Sequence, residues 1–324
     1  MVKVSLLFIS VFTLFCFMIP GYILKKTKLV DQHFAKGMSV YTLYVASIAM
    51  LLHGFILEFD PTVFKGVAQV FVLSLLVHLL FFLIAKQLFP NAPEKQKKVL
   101  QFGVIFSNAG YMGIPVISDV FGPDYVIYAT AYIMWFNILA YTLGRLLFTN
   151  DKKYVSFKKA FINPAVIPIG LGVFIYLTGL GGWIQNSIAE GGFVGQILGV
   201  FYNVLTILKN TVAPISMIII GAKLADINFK GILKDKYMYP FVLIRLFLFP
   251  AMVWVILKLL NMVGIVDETV MSVILILSST PGAAMTTMFA ELYNGDAPYA
   301  GKLVALTTIL SVATMPIVAL LLYI

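Results

Sequence analysis

The sequence predicts an all-α, polytopic membrane protein with ten transmembrane helices in two halves of five. Three observations lead to that class. Hydrophobic residues make up 61% of the 324 residues and charged residues only 11%, where a soluble domain carries about 25% charged residues; the mean hydropathy is +0.98. Apolar stretches of about twenty residues, the length of helix that crosses a hydrocarbon core, follow one another along nearly the whole chain. The short loops between them alternate between basic and acidic. The pattern of roughly ten-residue alternating strands that marks a membrane β-barrel is absent.

Taken in order, the spans are expected at about 4–24, 37–58, 64–85, 99–120, 124–146, 161–180, 201–222, 237–258, 268–290 and 300–323. The first begins after a single Lys3 and shows no small-residue cleavage site, which marks a retained span rather than a signal peptide. Basic residues follow the odd-numbered spans of the series: Lys25, Lys26, Lys28 and Lys36; Lys86, Lys95, Lys97 and Lys98; Arg145, Lys152, Lys153, Lys158 and Lys159; Lys223, Lys230, Lys234 and Lys236. The intervening loops carry Glu58 and Asp60, Asp119 and Asp124, Glu190, and Asp267 and Glu268. Lys and Arg resist translocation, so the basic loops are read as cytoplasmic and both termini as external. The net charge of +9 then reflects topology and not a nucleic-acid-binding patch. Residues 181–200, containing GGWIQNSIAEGG, are too polar to span and are expected as an outer loop or interfacial segment. Cys16 is the only cysteine, so no intrachain disulfide forms. There is no Walker A loop, HExxH, GxSxG or Cys/His cluster, so neither an enzyme nor an ATP pump is indicated, and no metal or cofactor is expected.

The most basic link, 149–160, divides the chain into 1–148 and 161–324, with five spans each. An odd number of spans per half makes the halves enter the membrane in opposite directions, so structural repeats here are inverted, as is common in secondary transporters. Corresponding spans share an anomaly. The fourth contains FSNAGYMGIPV, residues 106–116, with Ser107, Asn108, Gly110, Gly113 and Pro115. The ninth contains LILSSTPGAAMTTMF, residues 275–289, with Ser278, Ser279, Thr280, Pro281 and Gly282. Glycine and proline weaken a helix interior, and at 1.5 Å per residue both breaks fall roughly 13–20 Å into their spans, near the midplane. Backbone groups left unpaired in hydrocarbon cost several kcal/mol each, so such breaks must be buried in protein or line a wet cavity. One proline kink is ordinary; two matched breaks flanked by hydroxyl and amide groups point to a binding site.

These residues resemble a known family. SNAGYMGIP is similar to the fourth-helix motif of the auxin efflux carrier (PIN-like) family, and PGAAMTTMFAELYN, 281–294, to its ninth-helix run. APISMIIIGAKLAD, 213–226, resembles the form found in bacterial members. The resemblance implies two inverted five-helix repeats, with helices 4 and 9 broken and crossing at the substrate site. Helices 1, 2, 6 and 7 would form a scaffold that homodimerises, and helices 3–5 and 8–10 a transport domain. It carries Asn108 onto the crossover asparagine, Pro281 onto the ninth-helix proline, and Trp135 and Phe136 onto a fifth-helix Trp-Tyr pair. Ser107 and Gly282 depart from the family's proline and glutamine, and the link between the halves is short; together these point to the bacterial malate/malonate permease-like branch and to the cytoplasmic membrane.

The expected function is secondary transport of small organic anions such as malate, malonate or auxin-like acids. A helix broken at midplane exposes the N-terminus of its second half, which carries about half a positive charge and free N–H groups and favours a carboxylate. The expected substrate-binding set is Ser107, Asn108, Gly110, Asn137, Ser279, Thr280, Pro281 and Gly282. Arg245, deep in the eighth span, is a candidate charge for the substrate, with snorkelling to the interface as the alternative. His78 is a candidate proton carrier, its unperturbed pKa being near 6.5, with a histidine hydrogen-bonded between helices as the alternative. Lys209 is read as a snorkelling anchor. Two other functions stand beside this one: an ion-coupled symporter resembling the bile-acid family, and a membrane sensor that retains a transporter fold.

Overall fold

The computed structural model describes residues 4–151, 162, 166–227 and 234–324, and within them the chain is helical, with no β-strand. Most of the expected link at 149–160, including Lys152, Lys153, Lys158 and Lys159, lies outside the described residues, as does Lys230. The helices are α1 (Val4–Cys16), α2 (Met18–Lys26), α3 (Gln32–Tyr41), α4 (Ser47–His53), α5 (Pro61–Ala85), α6 (Glu94–Ile105), α7 (Ile114–Phe121), α8 (Val126–Leu139) and α9 (Arg145–Thr149). They continue with α10 (Val166–Leu177), α11 (Leu180–Glu190), α12 (Phe193–Asn210), α13 (Val212–Ala225), α14 (Met238–Leu243), α15 (Phe249–Met262), α16 (Glu268–Ser279), α17 (Met285–Leu292) and α18 (Ala297–Ala319). Several join through a π-helical turn into one longer rod, as α14 does to α15 through Ile244–Leu248.

Among the described residues, seven continuous stretches are long and apolar enough to cross a bilayer: Ser5–Lys26, His33–His53, Pro61–Ala85, Pro123–Thr149, Phe193–Ala225, Met238–Met262 and Ala297–Tyr323. The pair α10 and α11, bent by 71°, makes an eighth if it counts as one span. The segments expected as the fourth and ninth spans are each two short helices, α6 with α7 and α16 with α17.

Aspartates set several helix starts. Asp31, Asp60, Asp267 and Asp296 each accept a backbone N–H from the first turn of the helix that follows, satisfying donors that have no intrahelical partner. Asp60 does so ahead of Pro61, whose missing N–H costs nothing at that position. Asp60 and Asp267, markers of outer loops in the sequence, therefore also have a local structural role.

Of the two expectations for residues 181–200, an outer loop or an interfacial segment, the loop is corrected: α11 covers most of the polar stretch, and α12 begins at Phe193, eight residues before the expected start of the seventh span. Gly179 and Gly191 both have φ of +73°, the left-handed conformation that ends a helix, so the polar segment folds as a separate short helix. From Phe193 onward the exposed Phe193, Val200, Phe201 and Ile207 give α12 an apolar outer face.

The best-buried helices include those leading into the two breaks, α6 and α16. α6, α8, α16 and α18 are richly represented in the core, while α1 and α12 keep wide apolar faces exposed. α2 and α13 cross at very close range. A Cβ on Gly21 would lie 2.0 Å from the Ile218 carbonyl oxygen, and one on Gly221 would lie 1.9 Å from that of Met18. Small residues let membrane helices approach in this way, where van der Waals packing replaces the hydrophobic drive.

Candidate functional site

The two breaks lie against each other. Asn108 N–H donates to the Pro281 carbonyl at 2.7 Å, and Ala283 N–H donates to the Phe106 carbonyl at 3.0 Å. Ser107 and Gly282 thus pair as a minimal antiparallel bridge. Each break supplies hydrogen-bond partners for the other, as a broken helix at membrane depth requires. Gly113, one turn further on, packs onto the second break: a Cβ there would come 2.6 Å from Leu277 Cδ2 and 3.4 Å from Thr280 Cγ2.

The side-chain hydroxyls of the second break are consumed within it. The hydroxyls of Ser278, Ser279 and Thr280 donate to the Leu275, Ile276 and Leu277 carbonyls at 2.9, 2.8 and 2.9 Å. Gly282 N–H donates to Thr307 Oγ1 at 3.2 Å, and that hydroxyl donates to the Leu303 carbonyl at 2.9 Å. Arg245 Nη1 donates to the Val104 carbonyl at 3.1 Å, and Nη2 to the Ser278 and Thr280 carbonyls at 2.7 Å each.

In front of the breaks lies a cavity of about 200 Å³, below the roughly 300–1,000 Å³ of pockets for drug-sized ligands. One wall comes from the first break and the helix after it: Ser107, Asn108, Gly110, Tyr111, Ile133, Asn137 and Tyr141. A second comes from the start of α17: Ala283, Ala284, Met285 and Met288. The facing wall is built by the second and seventh spans, with Ser39, Ser47, Met50, Ser216, Ile219, Ile220 and Lys223.

Two uncapped helix beginnings meet this cavity. The turn Ala109–Gly113 leading into α7 has Asn108 at its N-cap, and α17 has Ala284; neither residue caps the helix with its side chain. Asn108 is 4% exposed, and its Nδ2 has no hydrogen-bond partner. Ser216 Oγ, across the cavity, is likewise buried without a partner. Lys223, at the C-terminal end of α13, is the cation among the lining residues. The site is therefore a small, mostly apolar chamber with an amide donor, a hydroxyl, an ammonium group and the positive ends of two helix dipoles.

Of the residues singled out from the sequence, Ser107, Asn108, Gly110 and Asn137 line the cavity, whereas Ser279, Thr280, Pro281 and Gly282 lie behind it and hold the break together. Ser107 Oγ donates away from the cavity, to the Leu277 carbonyl at 3.0 Å, and Asn137 Nδ2 donates to Ile133 in its own helix at 2.9 Å. Arg245 does not line the cavity and is fully buried, which rules out snorkelling to the interface. His78 is also away from the cavity; its Nδ1 bonds the Ser74 carbonyl one turn back at 2.7 Å, and its ring packs on Tyr132. His53 and Lys209 meet on the far side of Met50, with Lys209 Nζ 3.1 Å from His53 Nδ1. Both line a second cavity of about 300 Å³, which shares only Met50 and Ile114 with the first. Among the described residues no three His, Cys, Asp or Glu side chains form a metal-sized group.

The α13 wall escaped sequence reading, although its signal is there: Ser216, Ile219, Ile220 and Lys223 follow the 3- and 4-residue spacing of one helix face. By position Lys223 belongs equally to the basic loop after the span, and a lone serine such as Ser216 is ordinary in a membrane helix.

Comparison with known proteins places this geometry in a family. The sequence model of the membrane transport protein family, the auxin efflux carrier or PIN-like group, matches residues 6–319. The chain belongs to that family and is a multi-pass membrane protein. No curated protein matches it.

Proposed function

We propose that this member of the membrane transport protein family carries small organic anions, carboxylates such as malate, malonate or auxin-like acids, and binds them in the cavity before the two breaks. The observation that carries the reading is the buried, unpartnered amide of Asn108 beside two uncapped helix beginnings. An amide donor without an acceptor costs free energy in the empty site, and a carboxylate oxygen relieves it. Two helix N-termini add positive potential at the same place. The apolar remainder of the lining excludes water and strengthens these interactions.

The architecture that goes with this function is a pair of inverted five-helix repeats, 1–148 and 161–324, whose broken fourth and ninth spans cross at the site. Contacts between spans support it, because they come in pairs that the repeat would exchange. The first packs on the seventh as the second does on the sixth, the fourth on the tenth as the fifth does on the ninth, and the third on the ninth as the fourth does on the eighth. In this scheme spans 1, 2, 6 and 7 form a dimerising scaffold, and spans 3–5 and 8–10 move against it by alternating access. The cavities on either side of Met50 and Ile114 are then the inner and outer approaches to one site. Both termini face the outside of the cytoplasmic membrane.

Uptake of labelled mono- and dicarboxylates into proteoliposomes tests the substrate class. Saturable uptake of at least one small carboxylate, competed by related acids and weakened in Asn108→Ala, is expected. Uptake of a neutral or cationic solute with no effect of Asn108→Ala would exclude the reading. Reporters fused after residues 92 and 186 are expected on opposite sides of the membrane.

A further inference from the structure

The second cavity holds a pair of titratable groups with no part in the first. His53, the last residue of α4 and 8% exposed, is gripped from one face of α12. Tyr202, Thr206 and Lys209 stand at the four- and three-residue spacing that sets side chains in one row. The Tyr202 ring packs on the imidazole with centroids 4.6 Å apart. Thr206 Oγ1 lies 3.1 Å from Nε2, and Lys209 Nζ lies 3.1 Å from Nδ1. Lys209 thus turns into the cavity instead of snorkelling to the interface.

These bonds fix the state of the ring. Thr206 gives its own proton to the Tyr202 carbonyl at 2.8 Å, so its oxygen accepts from Nε2–H. Nδ1 is then the bare nitrogen, and it accepts from Lys209, whose ammonium group has donors only. A second proton on the ring has one place to go, Nδ1. There N–H would meet N–H, and two positive charges would stand 3.1 Å apart. That state calls for an anion between them, held by both groups through charge-assisted hydrogen bonds.

The surrounding charges set the same condition. Lys209 and Asp119 are the charged residues lining this cavity. Among the described residues neither has an opposite charge within 4.0 Å; Asp119 accepts from Ser10 Oγ at 2.7 Å. Asp124, beside the lining residue Pro123, is a second carboxylate acting on Lys209. Two further helices pack on α4. α10 brings Tyr176, whose hydroxyl is engaged with the Asp60 backbone, and α8 brings Tyr128 and Tyr132, which turn to Gly66 and His78. With His53 neutral, Lys209 and Asp119 cancel and the lining has no net charge; with a proton on His53 it is positive.

We propose that His53 and Lys209 form a proton-dependent site for a small carboxylate, in which a proton from solvent binds Nδ1 and the anion accepts from both side chains. The proton is not cargo. This point rests on the carrier reading above, in which spans 2 and 7 belong to the scaffold, so that a proton on His53 stays behind when the substrate moves. The pair then makes loading from the outer side respond to outer pH without coupling transport to a proton gradient. The first cavity differs: its cation is Lys223, and no titratable imidazole lines it.

Histidine NMR on the purified protein tests the site. There are three histidines, His33, His53 and His78, and His53→Gln assigns the signal. Sodium acetate is compared with its neutral isostere acetamide. Acetate is expected to raise the pH at which His53 takes up its proton by about one unit, a tenfold linkage, and to leave His33 in place. The effect should persist in Asn108→Ala and vanish in Lys209→Gln. A His53 titration that acetate does not move overturns the proposal, whether or not the lysine variant folds. So does an effect that survives the loss of Lys209, or one that disappears with Asn108, which would put the anion in the first cavity. In proteoliposomes with a fixed internal pH, malonate entering from the outer side should half-saturate at about three- to tenfold lower concentration at external pH of about 6.5 than at about 8, and His53→Gln should remove the difference. An equal response in the variant, or malonate accumulation driven by a pH gradient and lost in His53→Gln, overturns the proposal, the latter because the proton would then be cargo. If malonate is not taken up, the carrier reading fails for that acid while the histidine titration still decides the site.

Discussion

The two breaks arise from the same kind of sequence and end in opposite states. At the second, Ser278, Ser279 and Thr280 spend their hydroxyls on their own helix, Gly282 N–H is held by Thr307, and the Ser278 and Thr280 carbonyls are held by Arg245. At the first, the backbone is paired through Phe106 and Asn108, but the Asn108 amide donor is left without a partner against the cavity. A break whose hydroxyls are saturated contributes rigidity, and what it offers a ligand is only the uncapped start of the helix that follows it. An unsaturated one lowers stability in the empty state and recovers that free energy on binding. The comparison assigns affinity to the first break and stability to the second, and substitutions should separate the two.

The largest effect is expected from Asn108→Asp. A carboxylate at that position would face the substrate carboxylate at about 4 Å, a repulsion of roughly 4 kcal/mol at an effective dielectric constant near 20, or about a thousandfold loss of affinity. Direct binding or competition measurements read this; unchanged carboxylate affinity would remove Asn108 from the site. Asn108→Ala comes next, with affinity lowered by about ten- to a hundredfold through the loss of one hydrogen bond to a charged group. Its unfolding midpoint should stay at or slightly above the wild-type value, because the deleted donor had no partner.

The second break should behave the other way round. Thr307→Val leaves Gly282 N–H buried without an acceptor and is expected to cost about 1–3 kcal/mol of stability, measured by unfolding, with little change in substrate affinity. An affinity loss as large as that of Asn108→Ala would show that the second break also contacts the ligand. The smallest effect belongs to Lys223→Gln. Lys223 is an exposed side chain at the edge of the cavity, so removing its charge should weaken anion binding by about two- to fivefold, and less at high salt.

Much of this molecule can be read without coordinates. The apolar composition, the lengths of the runs and the scarcity of charge determine a helical membrane protein, because hydrocarbon admits only backbones that satisfy their own hydrogen bonds. The positions of both breaks are legible for a related reason: Asn108, Gly110 and Gly113 in one segment, and Pro281 and Gly282 in the other, are residues a helix interior disfavours in any surroundings. The SNAGYMGIP, PGAAMTTMFAELYN and APISMIIIGAKLAD stretches together also indicate the family that the whole-chain match establishes. The extra helix at 180–190 was not legible, because its polarity was the stronger signal and the glycines that delimit it act through φ angles.

Which polar group at a break is free, and which is consumed, depends on partners distant in sequence. Thr307 reaches Gly282 across 25 residues and Arg245 reaches Val104 across 141; local pattern carries no trace of either. Nothing in the segment 275–289 says that its hydroxyls turn inward, and Arg245 read equally well as a substrate ligand or a snorkelling anchor. The same holds for the cavity, whose facing wall is a stripe on α13 that looks like ordinary helix packing until the breaks are set opposite it. Sequence determined where the backbone would have to be repaired, since intrinsic helix propensity is local; tertiary structure alone decided which side chains make the repair and which remain for a ligand, since that depends on the donors and acceptors that packing brings within reach.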